Sequence, residues 1–175
     1  MAPAIRRHQT DAVRFHIEHE FPGTPGAVAE ILCDPGFHTG LALPDLSRPE
    51  VVENTALGSG HTLRLRYEFV GNLDPIARRL LAGRRLTWIQ ELRLDVITGL
   101  GQLSFSAEAE PDRLHGAAAI TLVAVDAART RRRVDGEFFV KVPIVGGTAE
   151  RRIVPGLVRR LGVEADAVTA LLTAP

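Results

Sequence analysis

The sequence predicts an α+β fold: an antiparallel sheet of about seven strands, covered on its inner face by one long C-terminal helix, with two short helices after the first strand. Three observations carry this reading. Successive stretches alternate apolar and polar residues with the two-residue period of a half-buried strand. After Pro49 six such stretches follow one another with short turn signals between them, which implies antiparallel hairpins. The chain then closes with an apolar stripe at helical spacing, the only segment long enough to cover the sheet.

Residues 1–11, MAPAIRRHQTD, read as a polar tail, and residues 12–175 as a single domain. Val13, Phe15, Ile17, His19 and Phe21 share one face of the first strand, against Arg14, His16, Glu18 and Glu20. PGTPG breaks this strand. A short helix follows over Pro25–Leu32, with Thr24 placed to cap it and Pro25 suited to its first turn. DPGFHTGLALP makes a second short helical piece.

The six later strands span about Glu50–Ala56, His61–Val70, Arg85–Asp95, Gly101–Glu110, Leu114–Val125 and Arg131–Val142. DPIARRLLAG, Asp74–Gly83, reads as a helical turn or lid-like insertion between two of them. The stretch FFVKVPIVGGTAERRI then turns at Pro143, and Gly146 and Gly147 pass the chain into the last helix. Along that helix Ile153, Val154, Leu157, Leu161, Val168, Leu171 and Leu172 form the stripe, with Arg151, Arg152, Arg159 and Asp166 off it. Pro155 removes a helical hydrogen bond, so a kink or a restart is expected there.

Composition narrows the function classes. The chain has 175 residues, 45% hydrophobic and 24% charged, enough for one domain with a substantial core. Its 21 basic residues balance 21 acidic ones, so no overall field steers it toward nucleic acid or an anionic membrane. A single cysteine, Cys33, excludes an internal disulfide. There is no signal-peptide pattern and no apolar run long enough to span a bilayer, so a cytoplasmic location is expected.

Strand parity selects candidate pocket residues. Leu63, Leu65, Tyr67 and Phe69 share a face, as do Leu86, Trp88, Gln90, Leu92 and Leu94 on the next strand. Leu103, Phe105 and Ala107, then Ile120, Leu122 and Ala124, then Val134, Phe138, Val140 and Val142 continue it. The cavity-lining set is Leu65, Tyr67, Phe69, Trp88, Gln90, Phe105, Leu122 and Phe138 from the sheet, with Leu157 and Leu161 from the helix. His19, Gln90, Glu164 and the Tyr67 hydroxyl stand out, because a polar group on an inward face needs a partner.

Catalytic and metal patterns are missing from the sequence. The histidines are scattered, no Cys/His cluster suits zinc, and no GxSxG elbow occurs. LGSGH reads as a turn and not a dinucleotide fingerprint. Cys33 has no neighbouring base and reads as an inert buried thiol. No cofactor is expected. The arginine pairs Arg78–Arg79, Arg84–Arg85, Arg151–Arg152 and Arg159–Arg160, with RTRRR at Arg129–Arg133, read as a solvated surface or a basic rim. Without exposed aromatics between them they do not suggest a nucleic-acid partner.

The segments VRFHIEHEFPGTPGAVAEILCDPGF, VDGEFFVKVPIVGGTAERRI and LVRRLGVEADAV resemble an actinobacterial family, the domain of unknown function 2505 family. That family lies in the START-like (SRPBCC, Bet v 1-like, polyketide-cyclase-like) superfamily. The resemblance implies a helix-grip fold: a curved antiparallel sheet wrapped around the terminal helix, with an apolar cavity between them. It also implies a small hydrophobic partner, lipid or polyketide-like, that the protein carries, senses or sequesters. A cyclase- or hydratase-type enzyme using the same cavity is the alternative, and a protein-interaction module a more distant one. An enzyme needs at least two titratable groups meeting in the pocket. The inward faces offer few, which favours a carrier.

Overall fold

A computed structural model describes residues 12–73, 75–141 and 146–174. The tail of residues 1–11, Val142 and the turn at Pro143 lie outside the described residues.

The alternation at the start of the chain becomes β1 (Ala12–Pro22), with Phe15, Ile17 and Phe21 buried and Arg14, His16, Glu18 and Glu20 exposed. Thr24 caps α1 (Pro25–Cys33), accepting a hydrogen bond from the Ala27 amide at 3.3 Å. Asp34 ends α1 and caps α2 (Pro35–Gly40) through the Gly36 amide at 2.8 Å. The six later strands are β2 (Glu50–Leu57), β3 (Gly60–Glu68), β4 (Thr87–Asp95), β5 (Leu100–Ala107), β6 (Leu114–Asp126) and β7 (Arg129–Val140). The expected insertion is α3 (Pro75–Leu81), between β3 and β4.

All seven strands form one antiparallel sheet in the order β1-β7-β6-β5-β4-β3-β2. The last six are the meander that the turn spacing predicts. The first strand joins its far edge, pairing with β7 from Ala12 opposite Phe139 to Pro22 opposite Arg129. The crossing from β1 to β2 carries α1 and α2 over the sheet, and α1 contacts β3, β4, β6 and β7.

Two glycines serve the close packing. Gly99 turns β4 into β5 at φ 69°, a left-handed conformation that other residues adopt at a cost. Gly116 on β6 lies opposite Phe138, where an added Cβ would come within 2.5 Å of the ring. The bare backbone lets Phe138 lie across β6, its ring centroid 5.3 Å from both Phe15 and Phe105.

The last helix, α4 (Gly146–Thr173), covers the sheet from the β1 side, in contact with β1, β7 and α1. Gly146 and Gly147 form its first residues. It continues through Pro155 without a break, so the restart considered from the sequence does not occur. Pro155 is exposed, where water can satisfy the carbonyl that loses its partner. Leu157, Leu161, Ala165 and Val168 are buried with Phe15, Ile17, Leu32, Phe105 and Phe138 in the main core. Leu43, Leu63, Leu65 and Tyr67 form a smaller cluster under the loop before β2.

A buried polar cluster between sheet and helix

Strand parity and helix periodicity together decide what faces the interior. On β7 Thr130, Arg132, Val134, Phe138 and Val140 point inward and are buried. On α4 Leu157, Arg160, Leu161, Glu164, Ala165 and Val168 lie on one stripe, each three or four residues from another member, and all are buried. Two arginines and a carboxylate therefore stand inside an otherwise apolar interface.

Arg132 is 1% exposed; both its terminal nitrogens are hydrogen-bonded, while its buried Nε has no partner. Nη1 donates to Glu164 Oε1, and Nη2 donates to the Leu161 carbonyl and to His19 Nδ1, both at 3.1 Å. Its charged end also sits 5.4 Å from the centre of the Phe21 ring. Burial alone would push the Glu164 carboxyl up, but Arg132 beside it, with Arg160, holds it below its ordinary value. Glu164 is thus ionised and paired.

Arg160, one helical turn before Glu164, is 7% exposed. Nη2 donates to Gln90 Oε1 on β4, and the guanidinium carbon lies 4.9 Å from the Tyr67 ring centre and 5.8 Å from that of Phe105. Tyr67 in turn stacks on Trp88 at 5.7 Å.

His38 completes the cluster from α2, 2% exposed. Nε2 lies 2.8 Å from the Leu32 carbonyl, which can only accept, so the proton is on Nε2. Nδ1 then faces inward, 3.9 Å from Glu164 Oε2. Burial lowers the His38 pKa, as burial and Arg132 lower that of His19, so both imidazoles are neutral near pH 7.

Arg132, Glu164, His38 and Gln90, but not Arg160, border a void of about 10 Å³, lined also by Leu32, Leu92, Leu103, Ile120, Val134 and Leu161. That is room for about one water molecule. This void is far smaller than the ligand-sized cavity expected from the sequence. Of the ten residues expected to line it, only Gln90 and Leu161 border the void. Phe105, Leu122, Phe138 and Leu157 belong to the surrounding core, and Leu65 and Tyr67 to the smaller cluster. Trp88 is partly buried against both clusters, and Phe69 is partly exposed where it bridges to Leu46. Ala124, expected to face inward, is exposed near the end of β6.

The arginines assigned to a solvated rim divide in two. Arg129, Arg131 and Arg133 do pair with Glu18, Glu20 and Asp126 on the outer face. Arg132 and Arg160 do not belong with them, because parity on β7 and periodicity on α4 turn both inward. A wider groove of about 270 Å³ opens on the outer side of β4 and β5. Its charges are already matched, Arg64 with Glu53 and Glu91, and Glu108 with Arg66. Among the described residues no group of three or more His, Cys, Asp or Glu could hold a metal, and no helix is long and apolar enough to cross a membrane.

A seven-stranded antiparallel sheet gripping a C-terminal helix, with two short helices after the first strand, is the helix-grip fold of the START-like superfamily. Residues 16–172 match the family described as Protein of unknown function (DUF2505), and the chain belongs to that family. Solved structures agree on the fold. Norcoclaurine synthase from Thalictrum flavum superposes with a TM-score of 0.63 at 20% identity, over 100% of this chain and 98% of its own. The Zhui aromatase/cyclase from Streptomyces sp. R1128 does so with a TM-score of 0.60 at 18% identity, over 91% of this chain and 94% of its own. At these identities the likeness concerns the fold. No curated protein matches the chain in sequence.

Proposed function

We propose that the protein binds a small, mainly apolar molecule between the curved sheet and α4, held at one end by the buried polar cluster. The observation that carries this reading is the placement of Arg160, Gln90, Arg132, Glu164 and His38 in the middle of an apolar interface. Buried charges are costly and are often no better for stability than hydrophobic residues of the same size. A ligand with both an apolar body and a polar end gives them a use. Binding requires α4 and the side chains beneath it to yield, since ligand sites of this kind usually hold ~300 Å³ or more. The two enzymes with the same fold, one a synthase and one an aromatase/cyclase, are in keeping with a framework that admits small molecules.

A second reading, an enzyme using the same space, is favoured by one observation. His38 presents an unprotonated Nδ1 beside the ionised Glu164, 3.9 Å away, so two titratable groups do meet. A substrate hydroxyl or acidic C–H held there would find a base.

Trp88 tests the binding reading. A neutral apolar probe such as N-phenyl-1-naphthylamine should change Trp88 fluorescence saturably, and Leu161→Trp, read by probe emission, should weaken its binding by crowding the void. A probe that does not saturate, or is indifferent to Leu161→Trp, would place binding elsewhere.

A further inference from the structure

Among the described residues the interior charges do not balance. Arg132 is matched by Glu164, and His38 and His19 are neutral. Among the described residues no carboxylate pairs directly with Arg160, and its Nε, buried like that of Arg132, has no hydrogen-bond partner. Its contacts are the neutral amide oxygen of Gln90 and the faces of Tyr67 and Phe105. Those contacts hold a guanidinium in place, but none supplies a countercharge.

We propose that the molecule bound between sheet and helix is an organic acid, an apolar body carrying a carboxylate that pairs with Arg160. This inference rests on the binding reading above and specifies its ligand class. Arg160 presents a planar fork of donors suited to the two oxygens of a carboxylate. The incoming anion replaces the Gln90 oxygen as acceptor and can also reach Nε. Tyr67 and Phe105 flank the guanidinium and exclude water from the pair. Trp88, stacked on Tyr67, extends the apolar wall away from it. Glu164 works against an anion placed toward Arg132, so the carboxylate is directed to the Arg160 end of the cluster. A cationic or neutral ligand would leave the two arginines with the single charge of Glu164 between them.

The test compares matched pairs: decanoate against decanol, and 2-naphthoate against 2-naphthamide, titrated into the wild type, Arg160→Gln and Arg160→Lys at pH 7.5. Trp88 fluorescence and calorimetry are the readouts, and circular dichroism checks that each variant folds. The wild type should prefer each acid by about tenfold or more, the scale of one charge-assisted pair. Arg160→Gln should abolish that preference, and Arg160→Lys should restore part of it. Equal binding of acid and neutral partner by the wild type overturns the acid inference and leaves the binding reading standing. So does an acid preference that survives Arg160→Gln. Failure of both members of both pairs to bind the wild type removes the binding reading and the acid inference with it.

Discussion

Replacing Glu164 by leucine should be among the most damaging single changes in this protein. The carboxylate is 5% exposed and is the only described charge paired with Arg132, itself 1% exposed. Without it Arg132 keeps the Leu161 carbonyl and His19, both neutral, and its charge stays in the core. Removing one partner of a buried ion pair costs roughly 3–5 kcal/mol, because the other is left uncompensated. With a urea slope of about 2 kcal/mol/M, the unfolding midpoint should fall by roughly 2 M. The double variant Arg132→Met/Glu164→Leu should recover most of that loss, since it removes both charges and keeps the volume. Glu20→Gln is the control. Glu20 on β1 pairs with Arg131 on β7 across the outer face of the sheet, in the open, and its loss should leave the midpoint nearly unchanged. Urea unfolding followed by far-ultraviolet circular dichroism measures all three. A Glu164→Leu midpoint no lower than that of Glu20→Gln would refute the buried pair.

Other outcomes follow from the same packing. Burial lowers the His38 and His19 pKa below 6.5, so as pH falls through that value the unfolded chain takes up protons that the folded chain refuses. Stability should therefore fall from pH 7.5 to 5.5, and His38→Gln should flatten the slope; an unchanged slope would mean that His38 titrates normally. His16 acts in the opposite sense: Asp135 raises its pKa, so its contribution is present below 6.5 and is lost as pH rises through the raised value. Burial pushes the Cys33 thiol up to about 11, so a disulfide reagent at pH 8 should label it only at the rate of unfolding, and prompt labelling of the native protein would contradict its burial. Pro155→Ala should raise stability by about 2 kcal/mol, the helix-interior penalty of proline less the unfolded-state entropy it removes; a lower melting temperature would show that the core needs a bend there.

Much of the fold was legible because its determinants are local and periodic. Thr24 and Pro25 announce α1, and the parity of Leu63, Leu65 and Tyr67, or of Leu103 and Phe105, identifies the buried face without knowledge of the partner strands. The polar cluster was legible only in part. Gln90 and Glu164 stood on inward faces and were recognised there. Arg132 shares its parity with Val134 and Phe138, but inside RTRRR it reads as one more solvated charge. Arg160 follows Leu157 by three residues and precedes Glu164 by four, yet its neighbour Arg159 disguised it as a surface pair. His38 had no readable signal, because a six-residue helix has too few positions to show a period. Whether the space under α4 is open depends on how long side chains from three elements fill it together. No single stretch of sequence encodes that.

If a small apolar molecule occupies the space beneath α4, native mass spectrometry of the protein purified from its own host should detect it. A fraction of the protein should carry one small molecule, lost on denaturation, whose identified structure combines an apolar body with a carboxylate. Protein found solely at its bare mass, still bare after incubation with an organic-solvent extract of the same cells, would contradict the claim and leave the cluster around Arg160 as part of a closed core.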